Sequence, residues 1–136
     1  MSDSTITLSG NLATDPEIKP TKNSVLTTFR LAVNDRRKKG DDWVDDPSFF
    51  TVVCWRDLAT HVAESLCKGN RVIVTGRLKE SSWVGQDNVE KKSVEIVADD
   101  VAASLKMATI DGIQRMTTSK LERPPQPQYP EGEEPF

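Results

Sequence analysis

Apolar residues recur along this chain with two different periods, and the change of period marks where strands give way to a helix. In an extended strand, residues two apart share a face. Residues 5–12 place Ile6 and Leu8 on one side before Gly10 and Asn11 break or bulge the run and Asp15-Pro16 bends it. Residues 25–34 alternate again, with Phe29, Leu31 and Val33 opposite Thr28, Arg30 and Ala32. Residues 38–47 are polar and contain Gly40, so an exposed hairpin loop is expected there. Residues 49–55 form a third alternating run. Residues 57–66 then switch to helical spacing, with Leu58, Val62 and Leu66 along one stripe, Ala59 and Ala63 beside it, and Lys68-Gly69 as the stop signal. Alternation returns over residues 71–78 and, after a long hairpin around residues 85–88, over residues 92–98 with Val94 and Ile96.

Five strands with a lone helix between the third and fourth predict an all-β fold, a five-stranded Greek-key barrel of the oligonucleotide-binding (OB) type with the helix plugging it. A chain of 136 residues has room for one such domain with a real core and a short appendage. Residues 1–105 carry the domain, and the pattern weakens over residues 106–121. Residues 122–136, with Pro124, Pro125, Pro127 and Pro130, cannot build a ladder and are expected to be a disordered tail.

Two of the strands carry more than core. Phe49, Thr51, Val53 and Trp55 point one way while Phe50, Val52 and Cys54 point the other. Arg71, Ile73, Thr75, Arg77 and Lys79 lie opposite Val72, Val74, Gly76 and Leu78, and Trp83 joins the cationic side if that strand runs on unbroken. A half-buried sheet with chance edge charges would give this pattern. So would a surface that stacks bases on flat rings and follows a phosphate backbone with cations, the device of sequence-tolerant single-strand binding.

Charge complicates the second reading. The net charge is −3, with 14 Lys and Arg against 16 Asp and Glu up to Leu105, so removing the tail does not make the domain basic. Exposed charges more than about 10 Å apart at 0.1 M salt are largely screened from one another, so clusters count more than totals. The clusters are Arg36-Arg37-Lys38-Lys39, the Arg71/Arg77/Lys79 face, and Lys91-Lys92.

Convergent catalytic groups are missing from the pattern. His61 is the only histidine and has no partner for base catalysis or zinc, and no metal or cofactor is expected. Asp41, Asp42, Asp45 and Asp46 fail the calcium-loop template, whose sixth and twelfth positions would fall on Asp46 and Val52. A metal-dependent nuclease using these acids remains a rival reading. So does an OB-fold protein-interaction module whose rings bury in an interface, although such a core would tend to exclude the cations beside Trp55 and Trp83. Cys54 and Cys67 have no metal spacing and are read as reduced thiols. No apolar run is long enough for a membrane helix and the polar start lacks a secretory signal, so the expected location is cytoplasmic, with no membrane partner.

The residues Thr5-Ile6-Thr7-Leu8-Ser9-Gly10-Asn11-Leu12 with Asp15-Pro16-Glu17, then Trp55-Arg56, Val62-Ala63-Glu64-Ser65-Leu66, Lys68-Gly69 and Arg71-Val72-Ile73-Val74-Thr75-Gly76-Arg77-Leu78, resemble the bacterial single-stranded DNA-binding protein family in order and spacing over residues 4–105. The resemblance implies an OB core, a homotetramer and single-stranded DNA wrapped on its surface, serving replication, recombination and repair. It implies base-stacking at Phe49, Trp55 and Trp83, the rings that strand parity also selects. Arg30, Arg37, Arg56, Arg71, Arg77, Lys79 and Lys91 are the cations expected to meet phosphates, with Arg37 standing where some members carry a further ring. Ser81 and Ser82 stand where some relatives have cations. The resemblance also implies a C-terminal tip, here Glu133, Glu134, Pro135 and Phe136, that recruits replication and repair proteins. Glu134 replaces the apolar residue usual before the proline, and the tail is short, which suggests an accessory paralogue.

Overall fold

The computed structural model describes residues 3–114, so the expectations for the tail and its tip lie outside the described residues. Six strands and one helix follow in the order β1 (Thr5–Leu12), β2 (Glu17–Pro20), β3 (Val25–Lys39), β4 (Asp42–Trp55), α1 (Arg56–Ser65), β5 (Arg71–Val84) and β6 (Glu90–Ala103). The expected barrel is present, with two differences in its strands. A four-residue strand, β2, pairs along the outside of β3, and all four of its residues are exposed. Strands β3 and β4 also run through most of the expected loop, leaving a turn at Gly40 and Asp41, where Gly40 takes a φ of 66°. That left-handed angle suits glycine.

The sheet order is β1-β5-β6-β4-β3-β2, closed by a second pairing of β1 with β3. Only β4 and β6 run parallel; the other neighbours are antiparallel. Closure rests on two register pairs, Asn11 with Ala32 and Leu12 with Leu31. Inward positions from opposite walls, including Leu12, Phe29, Leu31, Val52, Val74 and Ile96, are buried together. Cys54 lies among them, and loss of solvation pushes its thiol pKa up to about 12.

Helix α1 covers one end of this core with Ala59 and Val62. It is fastened to the sheet by the buried Thr27 hydroxyl, which donates to the Ala59 carbonyl at 2.7 Å. The helix stops at Ser65, short of the expected Lys68-Gly69 ending. Those two residues belong instead to the turn into β5: Gly69 has a φ of 95°, and the Lys68 amide donates to the Asp15 carboxylate at 2.8 Å.

Candidate nucleic-acid interface

Strand register carries the site. On β4 the even positions Phe50, Val52 and Cys54 turn inward, which leaves Phe49 and Trp55 outward at 51% and 42% exposure. The same outward face continues across neighbouring strands. Arg30, Thr51, Glu95 and Lys79 form one row across β3, β4, β6 and β5, and Thr28, Val53, Val97 and Arg77 form the next. At roughly 4.8 Å between strands, the first row sets Arg30 and Lys79 about 14 Å apart, with the Glu95 carboxylate on the strand between Thr51 and Lys79.

Two details set the local chemistry. The Arg30 guanidinium lies over the Phe49 ring at 5.8 Å and donates to the Thr51 hydroxyl at 3.4 Å, so ring and cation are presented together. Beside them a shallow groove of about 580 Å³ is lined by Trp55, Arg56, Arg77 and the polar residues of the β2–β3 connection. Arg56, at the first position of α1, has a φ of 59°, a left-handed conformation that a residue with a Cβ adopts at a cost.

Arg30, Phe49, Trp55, Arg56, Arg77 and Lys79 thus occupy one continuous face. Trp83 is on the same pleat side of β5 as Arg77 and Lys79, because β5 does run unbroken to Val84; it stands 48% exposed opposite Lys91 near the end of the β5–β6 hairpin. Arg71 lies six residues from Arg77 towards the other end of β5, where its guanidinium donates to the Asn11 side-chain oxygen at 3.5 Å. Arg37 stands apart. Its register partner is Val44, which puts it on the opposite pleat side from Phe49, and it pairs with Asp46 at 3.3 Å.

Asp99 was not legible as part of this face. Thr75 pairs with Asp100 and Gly76 with Ala98, so Asp99 is the extra residue of a bulge in β6, and its carboxylate lies 3.8 Å from Arg77. The signal was the Asp99-Asp100 pair interrupting the alternation of Val94, Ile96 and Ala98. The acids of residues 41–46 do not converge: Asp45 and Asp46 are spent on Arg36 and Arg37 across the β3–β4 arm. Among the described residues no cluster of three or more His, Cys, Asp or Glu forms a metal site.

A small Greek-key barrel with a helix at this point of the chain and rings and cations on one outer face defines an oligonucleotide-binding-fold protein. The sequence profile of the single-strand binding protein family matches residues 3–104, and the chain belongs to that family. It is 41% identical over 117 residues to a single-stranded DNA-binding protein of Corynebacterium glutamicum, a match covering 83% of this chain and 52% of that protein. It is 39% identical over 112 residues to one from Mycolicibacterium smegmatis, covering 79% and 67%. The chain therefore spans between about half and two thirds of these relatives. A crystal structure of a small single-stranded DNA-binding protein from Streptomyces coelicolor superposes with a TM-score of 0.66 at 36% identity, covering 77% of this chain and 97% of the other.

Proposed function

We propose that this chain binds single-stranded DNA without regard to sequence, as a non-enzymatic binder. The observation that carries this reading is the outward exposure of Phe49 and Trp55 on a face shared with Arg30, Arg56, Arg77 and Lys79, while Phe29, Leu31, Val52 and Cys54, the alternate residues of β3 and β4, fill the core. Every base has a π-face, so rings of this kind hold any sequence, each contributing about 1–3 kcal/mol. The cations neutralise phosphates and release counterions, which makes affinity fall with salt. Trp83 and Lys91 extend the same surface along the β5–β6 hairpin, and Arg71 continues it at the other end. Arg37, on the opposite side of the arm from Phe49 and paired with Asp46, lies off this surface.

Membership of the family and the names of its relatives support the same substrate. Within the proposal fall a homotetramer in the cytoplasm, a role in replication, recombination and repair, and recruitment of partner proteins through Glu133, Glu134, Pro135 and Phe136. Linking several barrels raises avidity beyond the roughly 4–16 nucleotides that one engages.

Intrinsic tryptophan emission titrated with thymine and mixed-sequence oligomers at two salt concentrations tests the reading. Quenching at similar affinity for both oligomers, weakened by salt and by Trp55→Ala, is expected. A Trp55→Ala protein that binds as the parent does would refute the stacking assignment, and tight binding only to a protein partner would favour the interaction module.

A further inference from the structure

The pair formed by Arg30 and Phe49 occurs twice. Six residues along β3 from Arg30 stands Arg36, and six residues back along β4 from Phe49 stands Trp43. Because the strands are antiparallel and pair continuously from Leu26 with Trp55 to Lys39 with Asp42, the two pairs have the same diagonal relation and the same pleat side. The separations agree as well: each guanidinium lies 5.8 Å from the centre of its ring. Lys38 sits directly across from Trp43, adding a second cation.

Core packing does not account for Trp43. It lies outside the buried cluster and is 61% exposed, more than Trp55 or Trp83. We infer that Trp43, with Arg36 and Lys38, is a second stacking station for single-stranded nucleic acid, placed out on the β3–β4 arm. This rests on the function proposed above and extends its path. A rise of about 3.3 Å per residue puts Trp43 about 20 Å from Phe49 along β4. A strand leaving the Phe49 station at about 3.4 Å per stacked nucleotide reaches Trp43 after roughly six nucleotides, and sooner if it is stretched.

The two stations differ in one respect. Opposite Arg30 stands the neutral Thr51, whereas opposite Arg36 stands Asp45, whose carboxylate is 3.8 Å from the guanidinium. The outer station is therefore partly neutralised, and a phosphate there competes with a carboxylate already in place.

The test compares the full chain with Trp43→Ala, Trp43→Phe and Asp45→Asn on thymine oligomers of roughly 5 and roughly 15 nucleotides, lengths at the two ends of the range a single barrel engages. Trp43→Ala should bind the long oligomer about five- to tenfold more weakly and the short one as the parent does. Trp43→Phe should restore most of the loss, and Asp45→Asn should bind the long oligomer about two- to fivefold more tightly. Trp43→Ala matching the parent on the long oligomer overturns the inference. Equal weakening at both lengths also overturns it, since that marks a general disturbance of the arm, as does a change of mass by light scattering without DNA, which would assign the ring to a contact between copies. If the parent binds neither oligomer, the function proposed above fails instead.

Discussion

Arg56→Gly should make the protein more stable and a poorer binder at once. Arg56 is held at a φ of 59° directly after Trp55, and its side chain lines the groove shared with Trp55 and Arg77. A residue with a Cβ in the left-handed region costs roughly 1–2 kcal/mol. Glycine removes that cost but adds about 0.4–1 kcal/mol of freedom to the unfolded chain. The balance is a gain of about 0.5–1 kcal/mol, which raises Tm by about 2–8 °C for a domain of this size. Binding moves the other way. One lost phosphate contact lowers the slope of log affinity against log salt by about 0.7, with about a two- to fivefold loss of affinity at 0.1 M salt. Thermal melts followed by tryptophan emission and oligomer titrations over a salt series read both effects. Arg56→Ala separates them, because it keeps the backbone cost while losing the charge, so its Tm should not rise. If Arg56→Gly melts lower than the parent, the backbone at Arg56 is not under strain. If it binds with an unchanged salt slope, the guanidinium does not meet phosphate.

Three further expectations rest on separate features. Gly76→Ala should cost about 3 kcal/mol or abolish folding, because an added Cβ would collide with the Val97 carbonyl oxygen and lie 2.9 Å from the Ala98 Cα, neither of which can swing away; urea melts measure this. Cys54 should resist a thiol reagent in the native protein while exposed Cys67 reacts, with both reacting after unfolding. Because burial raises the folded pKa of Cys54 from 9.0 to about 12, the folded state holds the proton more tightly, so stability from this group is complete below pH 9 and declines between about pH 9 and 12; urea melts across that range show the fall, and Cys54→Ala should remove that pH dependence. Asp99→Asn should tighten oligomer binding about two- to fivefold by freeing Arg77, and the gain should vanish in an Arg77→Ala background, a double-mutant cycle read by titration.

The parts of this fold that touch the core could be read from the chain, and the parts that leave it could not. Phe50, Val52 and Cys54 alternate with Phe49, Thr51 and Trp55 because one side of β4 must be dry, and that requirement writes a period of two into the sequence. Beyond Phe49 the arm has water on both sides, so residues 42–48 are free of that requirement; they look like a loop, although pairing with β3 and the turn at Gly40 hold them as strand. Nothing in that stretch marks Trp43 as a strand residue, and no local pattern shows that Arg37 lies on the opposite pleat side from Phe49. Strand β2 left no signal because Glu17, Ile18, Lys19 and Pro20 are all exposed. Trp55 and Arg77 were legible as types of residue, but their meeting at one groove depends on β6 lying between β4 and β5, a long-range pairing that no local pattern records.

The Thr27 hydroxyl bond to Ala59 has a reach greater than its size. Helix α1 has ten residues, too few to persist in water without the sheet, and its first residue is also the groove's rim. Releasing that latch frees the helix and with it the anchor of Arg56, so unravelling on the dry side of the barrel and blunting of its wet side become a single event. Amide exchange along α1 would then keep time with the loss of grip on nucleic acid as denaturant is raised.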